Sequence, residues 1–102
     1  MSRRNEAKLQ DDIMADLRSL GKNCECFKIE KTSDNGVPDI FFTTSITGAV
    51  FIETKRTEGK LSSVQEFKIK KLNSCGVKAF SCYSWAEWIN IKKILNIQCY
   101  IH

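Results

Sequence analysis

Histidine is almost missing from this chain: the only one among 102 residues is His102, the last. That removes a histidine general base and a His/Cys zinc site from the expected chemistry. Proline occurs once, at Pro38. There is no internal repeat, low-complexity segment or linker. No apolar run approaches the ~20 residues that a membrane-spanning helix requires. Charge of one sign does not dominate either. Sixteen basic and twelve acidic side chains leave a net charge of +4, well short of a ribosomal or histone-like chain. The balance favours anionic partners without naming one. Five cysteines are present, Cys24, Cys26, Cys75, Cys82 and Cys99, but the number is odd and no CxxC occurs. A single residue separates Cys24 from Cys26, a poor spacing for a zinc knuckle. Reduced thiols, mostly in the core of an intracellular, cytoplasmic protein, are the expectation.

What is present suits one domain spanning residues 1–102, with 42% hydrophobic residues to build its core. Leu9, Ile13, Leu17 and Leu20 make a helical stripe over 5–20. Residues 24–31 alternate like a strand, and Ser33-Asp34-Asn35-Gly36 is a turn. Strands follow over 39–43 and 49–56. Ser62 and Gln65 form a capping box for a helix over 61–75, striped by Leu61, Val64, Phe67, Leu72 and Cys75. Residues 77–83 read as a strand. A second capping box, Ser84 to Glu87, opens a last helix carrying Trp85, Trp88, Ile91 and Leu95. A short strand over 97–101 is also expected. The order αβββαβα predicts an α+β (α/β) fold. Its mixed sheet of about four strands would be a meander plus one strand returned in parallel by the second helix.

Three charges stand oddly in this pattern. Asp39 heads the apolar run Ile40-Phe41-Phe42, and Glu53 and Lys55 interrupt the strand that begins Ala49-Val50-Phe51-Ile52. Burying such groups is costly unless they are paired or hold a metal. Glu53 and Lys55 share a strand face, ~7 Å apart. If the two strands pair, Asp39 and Glu53 converge and repel, and a divalent cation removes the conflict. Oxygen ligands without His or Cys indicate Mg²⁺ or Mn²⁺. Such a cation beside a lysine suits phosphodiester hydrolysis. The plain alternative is a strand-start aspartate and a solvated same-face ion pair, which explains each residue singly but not the set.

Asp39, thirteen intervening residues, then Glu53-Thr54-Lys55 resembles the PD-(D/E)XK nuclease motif. Gly36-Val37-Pro38-Asp39, Phe51-Ile52-Glu53-Thr54-Lys55-Arg56, Gly59-Lys60-Leu61-Ser62 and Gln65, in that order, are similar to the VRR-Nuc branch. The resemblance covers about residues 5–83. It implies a metal-dependent endonuclease with a restriction-endonuclease-like core. Asp39, Glu53 and the Thr54 carbonyl would hold metal, and Lys55 would be the catalytic lysine. Glu6 matches the first-helix acid that completes the site, and Gln65 the polar residue after the third strand. Both also have ordinary readings, Glu6 as a helix-start acid and Gln65 as a cap. Stand-alone members of this size, typical of phages and viruses, look like homodimers that cut branched DNA such as four-way junctions. A nicking or flap enzyme, or a non-catalytic DNA-binding module, stays open beside that. Arg56 and Lys60 are the better candidates for phosphate contacts, with Arg3, Arg4 and Lys8 a further basic group. Lys68, Lys70 and Lys71 read as a solvated face, and the two tryptophans as core or dimer contacts.

Overall fold

The structure, a computed structural model, describes residues 3–30 and 32–97, with side chains from Glu6 onward. The side chains of Arg3 and Arg4, and all but the first residue of the expected strand over 97–101, lie outside the described residues. So do Cys99 and His102.

Helix α1 spans Arg3–Arg18 and is followed by three antiparallel strands, β1 (Cys24–Lys28), β2 (Ile40–Thr44) and β3 (Gly48–Thr54). Helix α2 (Ser63–Ser74) returns the chain so that β4 (Lys78–Cys82) pairs parallel with β3. Helix α3 (Trp85–Leu95) completes the fold. The sheet order is β1-β2-β3-β4, the meander and parallel return expected from the element order.

Strand alternation divides the sheet into two unlike faces. Ile40, Phe42, Val50, Ile52 and Cys82 are buried on the inner face. They pack with Leu9, Ile13, Met14 and Leu17 of α1 and with Trp88, Ile91 and Leu95 of α3. The helical stripes read from the sequence on α1 and α3 are therefore the core.

The stripe on α2 is not. None of the residues of α2 is fully buried. Val64 and Phe67 are 46% and 65% exposed. The reason is position: α2 lies along the β4 side of the sheet, away from the inner face that α1 and α3 fill. Asn73 anchors it there. Its amide accepts from the Ala79 N–H at 3.0 Å and donates to the Ala79 carbonyl at 3.1 Å. These bonds occupy main-chain groups of an edge strand, which otherwise invite pairing with another chain.

One glycine matters for the site. Gly36 has φ +79°, and a Cβ there would stand 2.8 Å from both the Val64 carbonyl oxygen and its Cγ1. Only glycine lets the turn before Asp39 lie directly on the first turn of α2.

Candidate active site at the end of the third strand

The last β2–β3 pair is Ile40 with Ile52. One step further along the register, Asp39 stands opposite Glu53. The two carboxyls the sequence separates by thirteen residues are thus cross-strand neighbours, close enough for the charge of Asp39 to act on Glu53.

Asp39 is held from three directions. Its main-chain carbonyl accepts from Ile29 N–H at 2.7 Å. Its Oδ2 accepts from the N–H of Thr54 at 3.0 Å and from the Thr54 hydroxyl at 2.9 Å. The Thr54 hydroxyl in turn accepts from Gln10 Nε2 at 2.8 Å. Gln10, Thr54 and Asp39 form a chain from α1 through β3 to the head of β2. Gln10 was missed in the sequence. Its signal is there in retrospect: it lies four residues after Glu6, on the same helix face.

Glu53 is only 3% exposed. Its Oε2 accepts from Gln65 Nε2 at 3.1 Å, while its Oε1 has no hydrogen-bond partner. Burial pushes its pKa up to about 8, and the neighbouring Asp39 carboxylate pushes the same way. The Lys55 charge opposes both, and Glu6 adds a smaller repulsion. A carboxyl in that state holds its proton at neutral pH.

Gln65 fills both roles its position allows. It closes the capping box, its Oε1 accepting from Ser62 N–H at 2.9 Å and its N–H donating to Ser62 Oγ at 3.1 Å. The same orientation turns Nε2 toward Glu53. The capping box therefore aims the amide, and α2 is placed to deliver it.

Lys55 follows the last residue of β3. Its N–H donates to the Cys82 carbonyl at 2.9 Å, extending the parallel ladder by one step. Lys55 and Arg56 line a cleft with Lys8, Asp12, Tyr83 and Trp85. Lys60 is exposed in the loop before α2. Glu6 is half-buried and reaches Glu53 through its field.

The donor set at this strand end fits a hard divalent cation. Two oxygen-bearing side chains converge, one is buried with an orphaned oxygen, and their mutual repulsion is what a cation relieves. Among the described residues no three His, Cys, Asp or Glu side chains group as metal ligands. A cation here would draw its further ligands from main-chain oxygen and water, as Mg²⁺ commonly does.

A mixed four-stranded sheet flanked by helices, with two carboxyls meeting where its central strands end, is a restriction-endonuclease-like α+β core. The chain belongs to the VRR-NUC domain family, whose sequence profile matches residues 5–86. Membership makes it a nuclease-type, DNA-processing protein. No curated protein matches the chain. No helix among the described residues is long and apolar enough to cross a membrane.

Proposed function

We propose that this chain is a Mg²⁺- or Mn²⁺-dependent endonuclease of the PD-(D/E)XK type that hydrolyses DNA phosphodiester bonds. In this reading it selects branched DNA and acts as a homodimer. The observation that carries the reading is the buried Glu53 carboxyl, orphaned at Oε1 and set opposite Asp39 across the strand pair. Such a group is expensive to keep in a fold that has no use for it.

Asp39 and Glu53 would hold the cation, with the Thr54 carbonyl and water as further oxygen donors; Glu6 would join them only by moving toward a bound cation. When bound, the cation would supply a Lewis acid for the phosphate and a more acidic water. The chain's own residues do the rest. Gln10 and Thr54 fix the Asp39 carboxylate, and Gln65 fixes one oxygen of Glu53. Lys55 supplies positive charge where negative charge develops on the phosphate. Arg56 and Lys60, with Arg3 and Arg4, would contact the DNA backbone.

The homodimer is supported by what the outer face of the sheet exposes. Phe27, Phe41 and Phe51 meet in sequence, the first pair tilted and the second edge-on, with ring centroids 5.0 and 5.3 Å apart. Phe27 is 48% exposed, and Val64 and Phe67 of α2 are exposed as well. Asp39 and Glu53 belong to that same face by alternation. A two-fold axis there would pair two sites for paired cuts in a symmetric junction.

The test is to incubate the protein with a four-way junction, a flap and a linear duplex, in Mg²⁺ and in EDTA. Expected is Mg²⁺-dependent cutting that prefers the junction, and a loss of about a hundredfold or more in Asp39→Asn and Lys55→Ala. Cutting restricted to flaps would replace the junction preference, and no metal-dependent cutting at all would leave a DNA-binding module. Light scattering reads the dimer.

A further inference from the structure

The cleft beside Lys55 is not needed to explain the chemistry at Asp39 and Glu53. It lies between α1, the segment after β3 and the start of α3. Lys8, Lys55 and Arg56 meet a single carboxylate there, Asp12, and two aromatic rings, Tyr83 and Trp85, complete the lining. Cations interleaved with half-buried aromatic rings are the chemistry of single-stranded nucleic acid. The cations track phosphates, and the rings stack on bases that are not already stacked in a duplex. The cleft has a volume of about 210 Å³. That is below the roughly 300–1,000 Å³ of sites that enclose a small-molecule ligand, a size for a single base whose sugar and phosphate stay outside with the rest of the strand.

The segment bearing the rings is held rigidly. Ser84 caps α3, its Oγ accepting from Glu87 N–H at 3.2 Å, while Glu87 Oε1 accepts from Tyr83 N–H at 2.7 Å. These reciprocal bonds clamp the backbone that carries Tyr83 and Trp85. Lys92 Nζ lies 5.7 Å from the centroid of the Trp85 ring, which restrains the indole from the other end of its helix. A platform ordered beforehand loses less entropy on binding. Trp88, one helical turn away, is fully buried. The two tryptophans therefore differ: Trp88 lies within the core, while Trp85 is half-buried against the core's edge and also lines the cleft.

We propose that this cleft is a stacking subsite for one unpaired nucleotide of the DNA substrate, adjoining the scissile position through Lys55. The proposal rests on the endonuclease reading above and gives it a substrate feature, an unpaired nucleotide at or beside the branch.

Binding in EDTA separates this from cleavage. The probes are a labelled ten-residue oligothymidylate and a closed blunt hairpin, read by anisotropy and by intrinsic tryptophan emission. Expected is tighter binding of the oligothymidylate than of the hairpin, with quenching that comes from Trp85 because Trp88 is sealed in the core. Trp85→Leu should remove the quenching and weaken oligothymidylate binding about tenfold. Thermal unfolding checks that the variant is folded. Lys8→Glu guards against a folding defect, since the Lys8 side chain is 73% exposed; it should weaken binding and flatten the salt dependence. Unchanged emission at saturating oligothymidylate would overturn the subsite. So would wild-type affinity in both variants, or tighter binding of the hairpin. Quenching without any Mg²⁺-dependent cutting would keep the subsite and remove the enzyme, whereas cutting without quenching would do the reverse.

Discussion

Glu53 is a side chain whose surroundings disfavour its charge. Its folded-state pKa stands near 8, above the ordinary 4.5. Below pH 4.5 it is protonated in both folded and unfolded chains and costs nothing. As pH rises toward 8 the unfolded chain ionises while the folded chain holds its proton, so stability falls across that window. Glu53→Gln removes the penalty. In EDTA at pH 8 the variant should be more stable than wild type by about 1–3 kcal/mol, a rise of roughly 4–8 °C in Tm per kcal/mol. At pH 4 the two should melt together. Mg²⁺ at pH 8 should raise the Tm of wild type and leave the variant unmoved. Equal pH profiles of the two proteins would remove Glu53 from this account. The carboxyl's identity was legible in the sequence as a charge in an apolar strand. Its protonation was not, because that depends on Asp39 across the strand pair and on how much water the fold excludes.

At the scale of elements, two contacts decide where α2 sits, and through it Gln65. Asn73 holds the C-terminal end of the helix to β4, and Gly36 admits its N-terminal end against the turn that precedes Asp39. Asn73→Ala leaves the nearly buried Ala79 without two main-chain partners and should cost about 1–3 kcal/mol, measured by denaturant unfolding. Gly36→Ala places a methyl group against backbone in a left-handed conformation. It should destabilise by about 1–3 kcal/mol and lower cleavage further than its stability loss explains, since it pushes the turn that leads to Asp39 away from the helix turn that carries Gln65. Retained cleavage at a temperature where the variant is folded would show that the turn only connects. The capping box that begins α2 was plain in the sequence. The exposure of its apolar stripe was not: a stripe says which side chains share a face, not whether anything broad enough lies opposite.

On the scale of the molecule, α1 and α3 are locked together by a buried ion pair. Asp16 Oδ2 accepts from Lys92 Nζ at 2.6 Å and from Trp88 Nε1 at 2.7 Å. Asp16 is fully buried, Lys92 is 5% exposed, and Asp16 Oδ1 has no partner. Breaking such a pair strands a charge. Lys92→Met should cost about 3–5 kcal/mol, while Asp16→Asn combined with Lys92→Met should recover part of it. A double variant no more stable than Lys92→Met alone would mean that packing rather than charge carries the cost. The pair joins α1, which supplies Gln10 and Glu6, to α3, which carries Trp85. Its rupture should therefore loosen the site and the neighbouring cleft together.

By itself the sequence determined the element order, the parallel return of the fourth strand and the carboxyl–carboxyl–lysine set at one strand end. These follow from short-range signals: periodicity, turn chemistry, caps, and charges placed where apolar residues belong. Tertiary structure alone decided the rest. It brought Gln10 onto Thr54, drew Lys92 under the core to meet Asp16, left Phe67 in solvent and separated Trp85 from Trp88. Each of these depends on which distant segment packs alongside and how much water it displaces. Side-chain pattern fixes a face. Burial, protonation and partnership are properties of two faces in contact.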